Sequence, residues 1–122
     1  MTDTTALQSL ADKVEAGERL LLSDMLCLGH GRGQIHTAQY AISALNGSLD
    51  AAYALHQAAF PRNSHQWHVS DEANFDGFVC QIFSCAADRY VATAHQPTPA
   101  RAWLLAILRA LIAKEGGRDG QA

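Results

Sequence analysis

The spacing of apolar residues changes character near the middle of the chain. In the amino-terminal half, apolar residues recur three and four positions apart, as at Leu7, Leu10 and Val14, which is typical of an amphipathic helix. Gly17 is placed to end this first helix. From His65 onward the pattern gives way to short runs rich in aromatic and β-branched residues. The sequence therefore predicts helices first and a sheet afterwards.

Residues 20–28 and 37–45 extend the helical pattern of the amino-terminal half. The first run has apolar residues on both sides of Asp24, which suits a buried helix better than an alternating strand. The second run is closed by Asn46 and Gly47, which readily adopt the left-handed backbone of a helix end.

Two later helices carry explicit start signals. Ser48 is an N-cap residue, and Asp50 in the first turn complements the helix dipole until Pro61 ends the helix. At the other end of the chain, Thr98 precedes Pro99, a residue favoured at the first helical position.

The last helix is predicted to present one apolar stripe and to end at Gly116. Residues 116–122 are glycine-rich and polar, which favours a flexible tail after a single domain of residues 1–115. The stripe consists of Trp103, Leu104, Ile107, Leu108 and Leu111.

Residues 65–70, 77–84 and 89–94 read as three antiparallel strands in a meander. The middle strand carries apolar residues on both faces, such as Cys80 and Phe83, so helices are expected on both sides of the sheet. The predicted class is α+β, with the meander packed against the Ser48 helix and the last helix in a sandwich-like α-β-α arrangement.

Composition favours one soluble domain in a reducing cytoplasm. With 122 residues, 48% of them hydrophobic, the chain can build a core, and its net charge of −3 provides no overall basic field for nucleic acid. The amino terminus lacks the apolar run of a signal peptide, and the longest apolar stretch is interrupted by Arg109 and too short to cross a bilayer.

A glycine-rich stretch, CLGHGRGQIHT at residues 27–37, is the first candidate for ligand binding. A glycine loop before a helix can direct backbone amides at an anion, and Arg32 would add charge. The spacing matches neither a dinucleotide loop nor a nucleoside triphosphate loop, so a simple flexible connection is the favoured interpretation and a ligand-contacting loop the alternative.

Metal and nucleophilic chemistry are weakly indicated, and neither a cofactor nor an enzyme is predicted. The six histidines and three cysteines show no ligand spacing. Cys80 alternates with apolar neighbours like a core residue, and no histidine lies near Cys85 in the sequence.

Arg101 and Arg109 lie eight residues apart on the last helix, and so on one side of it. They indicate either a basic pocket for a phosphorylated small molecule or the solvated back of the helix. The candidate ligand- or partner-binding residues are therefore His30, Arg32, Gln34, His36, Arg101 and Arg109.

Four short segments carry a resemblance to a known family. They are LADKVE at residues 10–15, SLDAA at 48–52, Trp67 in the first strand and TPA at 98–100. In these segments the chain resembles a family of small phage and prophage proteins described as α-β-α sandwich domains. The resemblance implies that fold and a phage context, and it implies no catalytic residues.

Two functions of different classes follow. The favoured one is a non-enzymatic phage accessory protein that binds a host protein in the host cytoplasm, for example to inhibit a bacterial defence system such as CRISPR. The alternative is an oligomeric protein that sequesters a nucleotide signal through residues 29–33 with His30 and His36. A homodimer is expected in either case, because a small sheet leaves strand edges that proteins usually cover or pair.

Overall fold

The computed structural model describes residues 4–28, 34–71 and 77–120. Within these ranges the chain forms four α-helices and a three-stranded antiparallel sheet, which confirms the predicted α+β class. The elements in chain order are α1 (Thr4–Ala16), a 3₁₀ helix (Leu22–Leu28), α2 (Gln34–Leu45), α3 (Leu49–Ala59), a 3₁₀ turn (Pro61–Asn63), β1 (His65–Asp71), β2 (Phe78–Ser84), β3 (Arg89–Gln96) and α4 (Pro99–Gly120).

Glycines end α1 and α2 as predicted. Gly17 and Gly47 have φ values of +78° and +105°, a left-handed conformation that side chains with a Cβ rarely adopt. After α2, the Gly47 N–H donates to the carbonyl of Ala44 at 3.0 Å and the Ser48 N–H to that of Ser43 at 2.9 Å. This pair of bonds satisfies carbonyls that the end of a helix leaves without a partner.

The predicted caps of α3 and α4 are confirmed. The Ser48 Oγ accepts the N–H of Ala51 at 3.1 Å, and the Thr98 Oγ1 accepts the N–H of Arg101 at 3.2 Å. Pro99 is the first residue of α4, where its missing N–H costs no hydrogen bond. These local signals fix where both helices begin.

The helix predicted for residues 20–28 is present, but as a 3₁₀ helix that is only partly buried. The segment contains only a short 3₁₀ helix, Leu22–Leu28, and the side chains of Leu21 and Leu22 are exposed while Met25 is buried. The Asp24 carboxylate accepts the Leu21 N–H at 2.8 Å and closes a tight turn at the start of the segment.

The inner face of the sheet packs against α4. The sheet has the order β1-β2-β3, which confirms the meander. Cys80 and Ile82 of β2 lie beside Ala94 and Ala92 of β3, and all four are buried. Because alanine side chains are short, the backbone of α4 can approach this face closely.

The outer face of the sheet has no helix on it in the described part of the chain, so the expected cover on both faces is wrong. Val79 and Phe83 are half-buried there, and Tyr90, whose ring centroid lies 5.3 Å from that of Phe83, is exposed. The Ser48 helix, α3, packs mainly on α2 and α4. The layers are therefore the sheet, then α4, then the remaining helices.

The central position of α4 also corrects the predicted apolar stripe. Residues 102–108 are all buried, because the sheet covers one side of α4 and the other helices cover the opposite side. The predicted end at Gly116 is wrong, since the helix continues to Gly120. Glycine tolerates helical backbone at a cost of about 1 kcal/mol and need not end a helix. Among the described residues, no helix has the length and apolar character needed to cross a bilayer.

Candidate functional site

Three elements, α3, β1 and α4, meet in an aromatic cluster. α3 contributes Tyr53 and His56 and is followed by Phe60, and these positions three and four residues apart share one side of the helix. β1 contributes Trp67 and α4 contributes Trp103. We use the name aromatic cluster for these five residues.

His56 lies at the centre of the cluster with both ring nitrogens hydrogen-bonded. Its Nε2 lies 2.9 Å from the carbonyl oxygen of His65, and the Nε1–H of Trp103 donates to its Nδ1 at 3.2 Å. A carbonyl can only accept and an indole N–H can only donate, so the hydrogen of neutral His56 is on Nε2.

Burial keeps His56 in this neutral form. The side chain is 1% exposed, and desolvation lowers its pKa, while the hydrogen bond to the His65 carbonyl opposes that shift. A second proton on Nδ1 would face the Trp103 N–H and remove that hydrogen bond. His56 is therefore a structural residue that holds the indole of Trp103 in one orientation.

The other rings pack around this hydrogen-bonded pair. The ring centroids of Trp67 and Trp103 lie 4.1 Å apart with an interplanar angle of 36°. Tyr53 approaches Trp67 and Trp103 edge-on at 6.5 Å and 6.3 Å, and Phe60 approaches His56 edge-on at 5.1 Å. The edge-on separations, from 5.1 to 6.5 Å, are typical of favourable aromatic pairs.

Part of the cluster faces solvent. Tyr53 is 50% exposed and Trp67 is 42% exposed, and Leu49, one helical turn before Tyr53, is 47% exposed. We call Leu49, Tyr53 and Trp67 the aromatic surface. It combines large exposed apolar side chains with a rigid support of buried rings.

The sequence did not identify this cluster. The notable spacing of Tyr53, His56 and Phe60 on α3 is a local signal, but His56 and Trp103 are 47 residues apart in the sequence. Histidine and tryptophan meet here only because α3 and α4 pack together. This pairing depends on the packing of the two helices and not on any local pattern in the sequence.

Residues 29–33 of the glycine-rich stretch, which include His30 and Arg32, lie outside the described residues. Gln34 is the first residue of α2, and His36 is exposed in the first turn of that helix. The anion-binding interpretation of residues 29–33 stays a prediction.

Arg101 and Arg109 bracket the buried stretch of α4 and reach α1. The Arg101 Nη2 donates to the carbonyl of Val14 at 3.0 Å, and its Nε donates to Gln96 at 3.3 Å. The Arg109 Nη2 pairs with a carboxylate oxygen of Glu15 at 2.7 Å. Both arginines therefore tie α4 to the last turn of α1, where positive charge complements the helix dipole.

Cys80 is a core residue, as the sequence predicts. Cys80 is buried in the sheet, and burial raises the pKa of its thiol to about 12, so the thiol stays protonated at neutral pH. Cys85 is exposed in the β2–β3 turn. In the residues that the structure describes, no three histidine, cysteine or acidic side chains group together as a metal site would require.

Comparison of the chain with protein families, with curated proteins and with solved structures finds no match. The resemblance to small phage proteins thus stays a prediction from the four sequence segments.

Proposed function

We propose that the protein is a non-enzymatic binding protein that attaches to another protein through the aromatic surface of Leu49, Tyr53 and Trp67. The observation that carries this proposal is the exposure of two aromatic rings on a buried, hydrogen-bonded support. Tryptophan and tyrosine are the residues most enriched at the energetic centres of protein interfaces.

Rigidity makes these rings effective contact residues. Trp67 lies against Trp103, whose indole is fixed by His56, and Tyr53 contacts both tryptophans. Side chains that are already ordered lose little conformational entropy on binding, so more of the contact energy appears as affinity. A partner with an apolar pocket or groove fits this surface best.

The proposed partner class comes from the sequence. The resemblance to phage proteins supports a bacterial host protein as the target, and inhibition of a defence system is the consequence that we propose for binding. The engaged nitrogens of His56 and the protonated thiol of Cys80 support a role without covalent chemistry.

The proposal is tested by quantitative capture from bacterial lysates with matched variants. Tyr53→Ala removes a ring of the aromatic surface, whereas Tyr90→Ala removes an exposed ring on the outer face of the sheet. We expect wild type and Tyr90→Ala to capture the same partner, and Tyr53→Ala to weaken binding about 30-fold, the effect of a typical central interface residue.

Retention of the partner by Tyr53→Ala at wild-type affinity would contradict the proposal. Measuring the mass of each variant in solution tests the predicted homodimer in the same experiment. A dimer that dissociates in Tyr53→Ala would show that the aromatic surface binds a second copy of the chain instead of a host protein.

A further inference from the structure

A cleft of about 450 Å³ opens between the start of β1, the β2–β3 turn and the carboxy-terminal half of α4. This volume lies within the range of small-molecule sites. Alanines and a valine form the apolar wall. The polar lining, which we call the cationic cleft, consists of Ser64, His65, Ser84, Arg89 and Lys114.

The charge of the cleft is one-sided. Arg89 and Lys114 both line it, and among the described residues no acidic side chain does, although the chain as a whole carries a net charge of −3. Within the described ranges, the side chains of Arg89 and Lys114 make no hydrogen bond and no ion pair. Asp88, in the same turn, is exposed and does not line the cleft. Two cations without a protein partner favour an anionic ligand.

The cleft also offers two serine hydroxyl groups. Ser84 is 6% exposed, and its Oγ accepts the N–H of Ala87 at 3.1 Å. Because the oxygen is the acceptor in this bond, its hydroxyl hydrogen is left for a ligand. The Ser64 Oγ lies 3.0 Å from the Nδ1 of His65, whose ring stacks on Phe60 at 4.2 Å. Packing therefore holds the imidazole and one hydroxyl in place.

We propose that the cationic cleft binds a small molecule that carries a phosphate group beside a short apolar part. A guanidinium fork, an ammonium group and two hydroxyls match the several oxygens and the charge of a phosphate better than those of a single carboxylate. The alanine-rich wall would contact the apolar part. The residues that line this cleft belong neither to the aromatic surface nor to the predicted glycine-rich stretch.

The test is a titration of isotope-labelled protein, followed by amide NMR signals at constant ionic strength. The probes are phenyl phosphate, inorganic phosphate and benzoate, with sodium chloride as the reference salt. We expect phenyl phosphate to shift the signals of Ala86 and Ala87 and to bind more tightly than inorganic phosphate or benzoate.

Two variants and a matched control locate the site. Arg89→Gln and Lys114→Gln each weaken phenyl phosphate binding about tenfold, because each removes a charge-assisted contact. Arg19→Gln removes an exposed positive charge near the end of α1 and binds like wild type. If Arg89→Gln does not fold, Lys114→Gln decides the question.

Wild-type affinity in a folded Arg89→Gln or Lys114→Gln variant would overturn the site. Equal binding of benzoate and phenyl phosphate would overturn the assignment to phosphate. Neither result bears on capture of a protein through Tyr53.

Discussion

The aromatic cluster and the cationic cleft lie side by side, and His65 belongs to the boundary between them. Its carbonyl accepts a hydrogen bond from His56 in the cluster, while its ring lines the cleft. In the cluster, the nitrogens of His56 and the N–H of Trp103 have partners within the protein. In the cleft, the cationic groups of Arg89 and Lys114 have none among the described residues.

This difference separates two uses of polar groups. A buried polar group with a protein partner stabilises one arrangement of the fold, and it is costly to disturb. An exposed cation without a partner adds little to stability and remains able to contact a ligand. Changes in the cluster should therefore alter stability, whereas changes in the cleft should alter binding.

The largest expected effect is that of Trp103→Ala. Removing this buried indole leaves a cavity beneath Trp67 and costs about 3–5 kcal/mol of the free energy of unfolding. Trp103→Phe keeps most of the ring but leaves the His56 Nδ1 without a donor, at a cost of about 1–3 kcal/mol. Urea unfolding monitored by circular dichroism measures both losses.

Arg89→Gln is the matched comparison in the cleft, and its free energy of unfolding should stay within about 0.5 kcal/mol of wild type. If Arg89→Gln destabilised the protein as much as Trp103→Phe, the proposed division between the cluster and the cleft would fail.

A second effect is a loss of stability in acid that originates at His56. Its pKa in the folded protein is lowered from 6.5 by burial, so between the two pKa values the unfolded chain binds more protons. The contribution of neutral His56 to the free energy of unfolding is therefore complete above pH 6.5, and it is lost as the pH falls toward the folded pKa. The pKa of His65 is also lowered, mainly by burial and further by the charges of Lys114 and His56. Titration of His65 therefore also lowers the free energy of unfolding as the pH falls.

The replacement His56→Gln separates the two contributions. An amide can donate to the His65 carbonyl and accept from Trp103, but it does not titrate. The decrease in unfolding free energy below about pH 6.5 should become shallower by up to about 1.4 kcal/mol per pH unit, and what remains includes the contribution of His65. An identical pH dependence in wild type and His56→Gln would show that His56 is not the titrating group.

The parts of the fold that the sequence predicted depend on neighbours within a few residues. The serine and threonine caps bond to amides three residues ahead, and Gly47 ends α2 through bonds to the preceding turn. The three strands could also be predicted, because aromatic and β-branched residues occur in short runs between polar turns. Such signals are complete within one local window of sequence.

The missed features depend on how elements stack. The apolar stripe of α4 became a fully buried stretch because helices cover the side that the pattern assigned to solvent. The aromatic cluster joins α3, β1 and α4, and the cationic cleft joins Ser64 to Lys114 across the sheet and last helix. No periodicity within a single segment specifies these contacts.

The smallest effect concerns Arg109, a cation of α4 that does have partners. Its Nη1 donates to the carbonyl of Thr93 at 2.8 Å, and its Nη2 pairs with Glu15, but both side chains of that ion pair are partly exposed. Glu15→Gln removes the charge of the acid and should cost about 0.2–1 kcal/mol, because solvent screens an exposed ion pair.

A double-mutant cycle with Arg109→Gln isolates the energy of this pair from the contact with Thr93. High salt should weaken the coupling between Arg109 and Glu15, and Glu15→Gln should leave phenyl phosphate binding unchanged. A coupling energy above about 2 kcal/mol would mean that this exposed ion pair stabilises the fold as much as a buried hydrogen bond does. That result would contradict the distinction between the stabilising polar groups of the cluster and the exposed cations of the cleft.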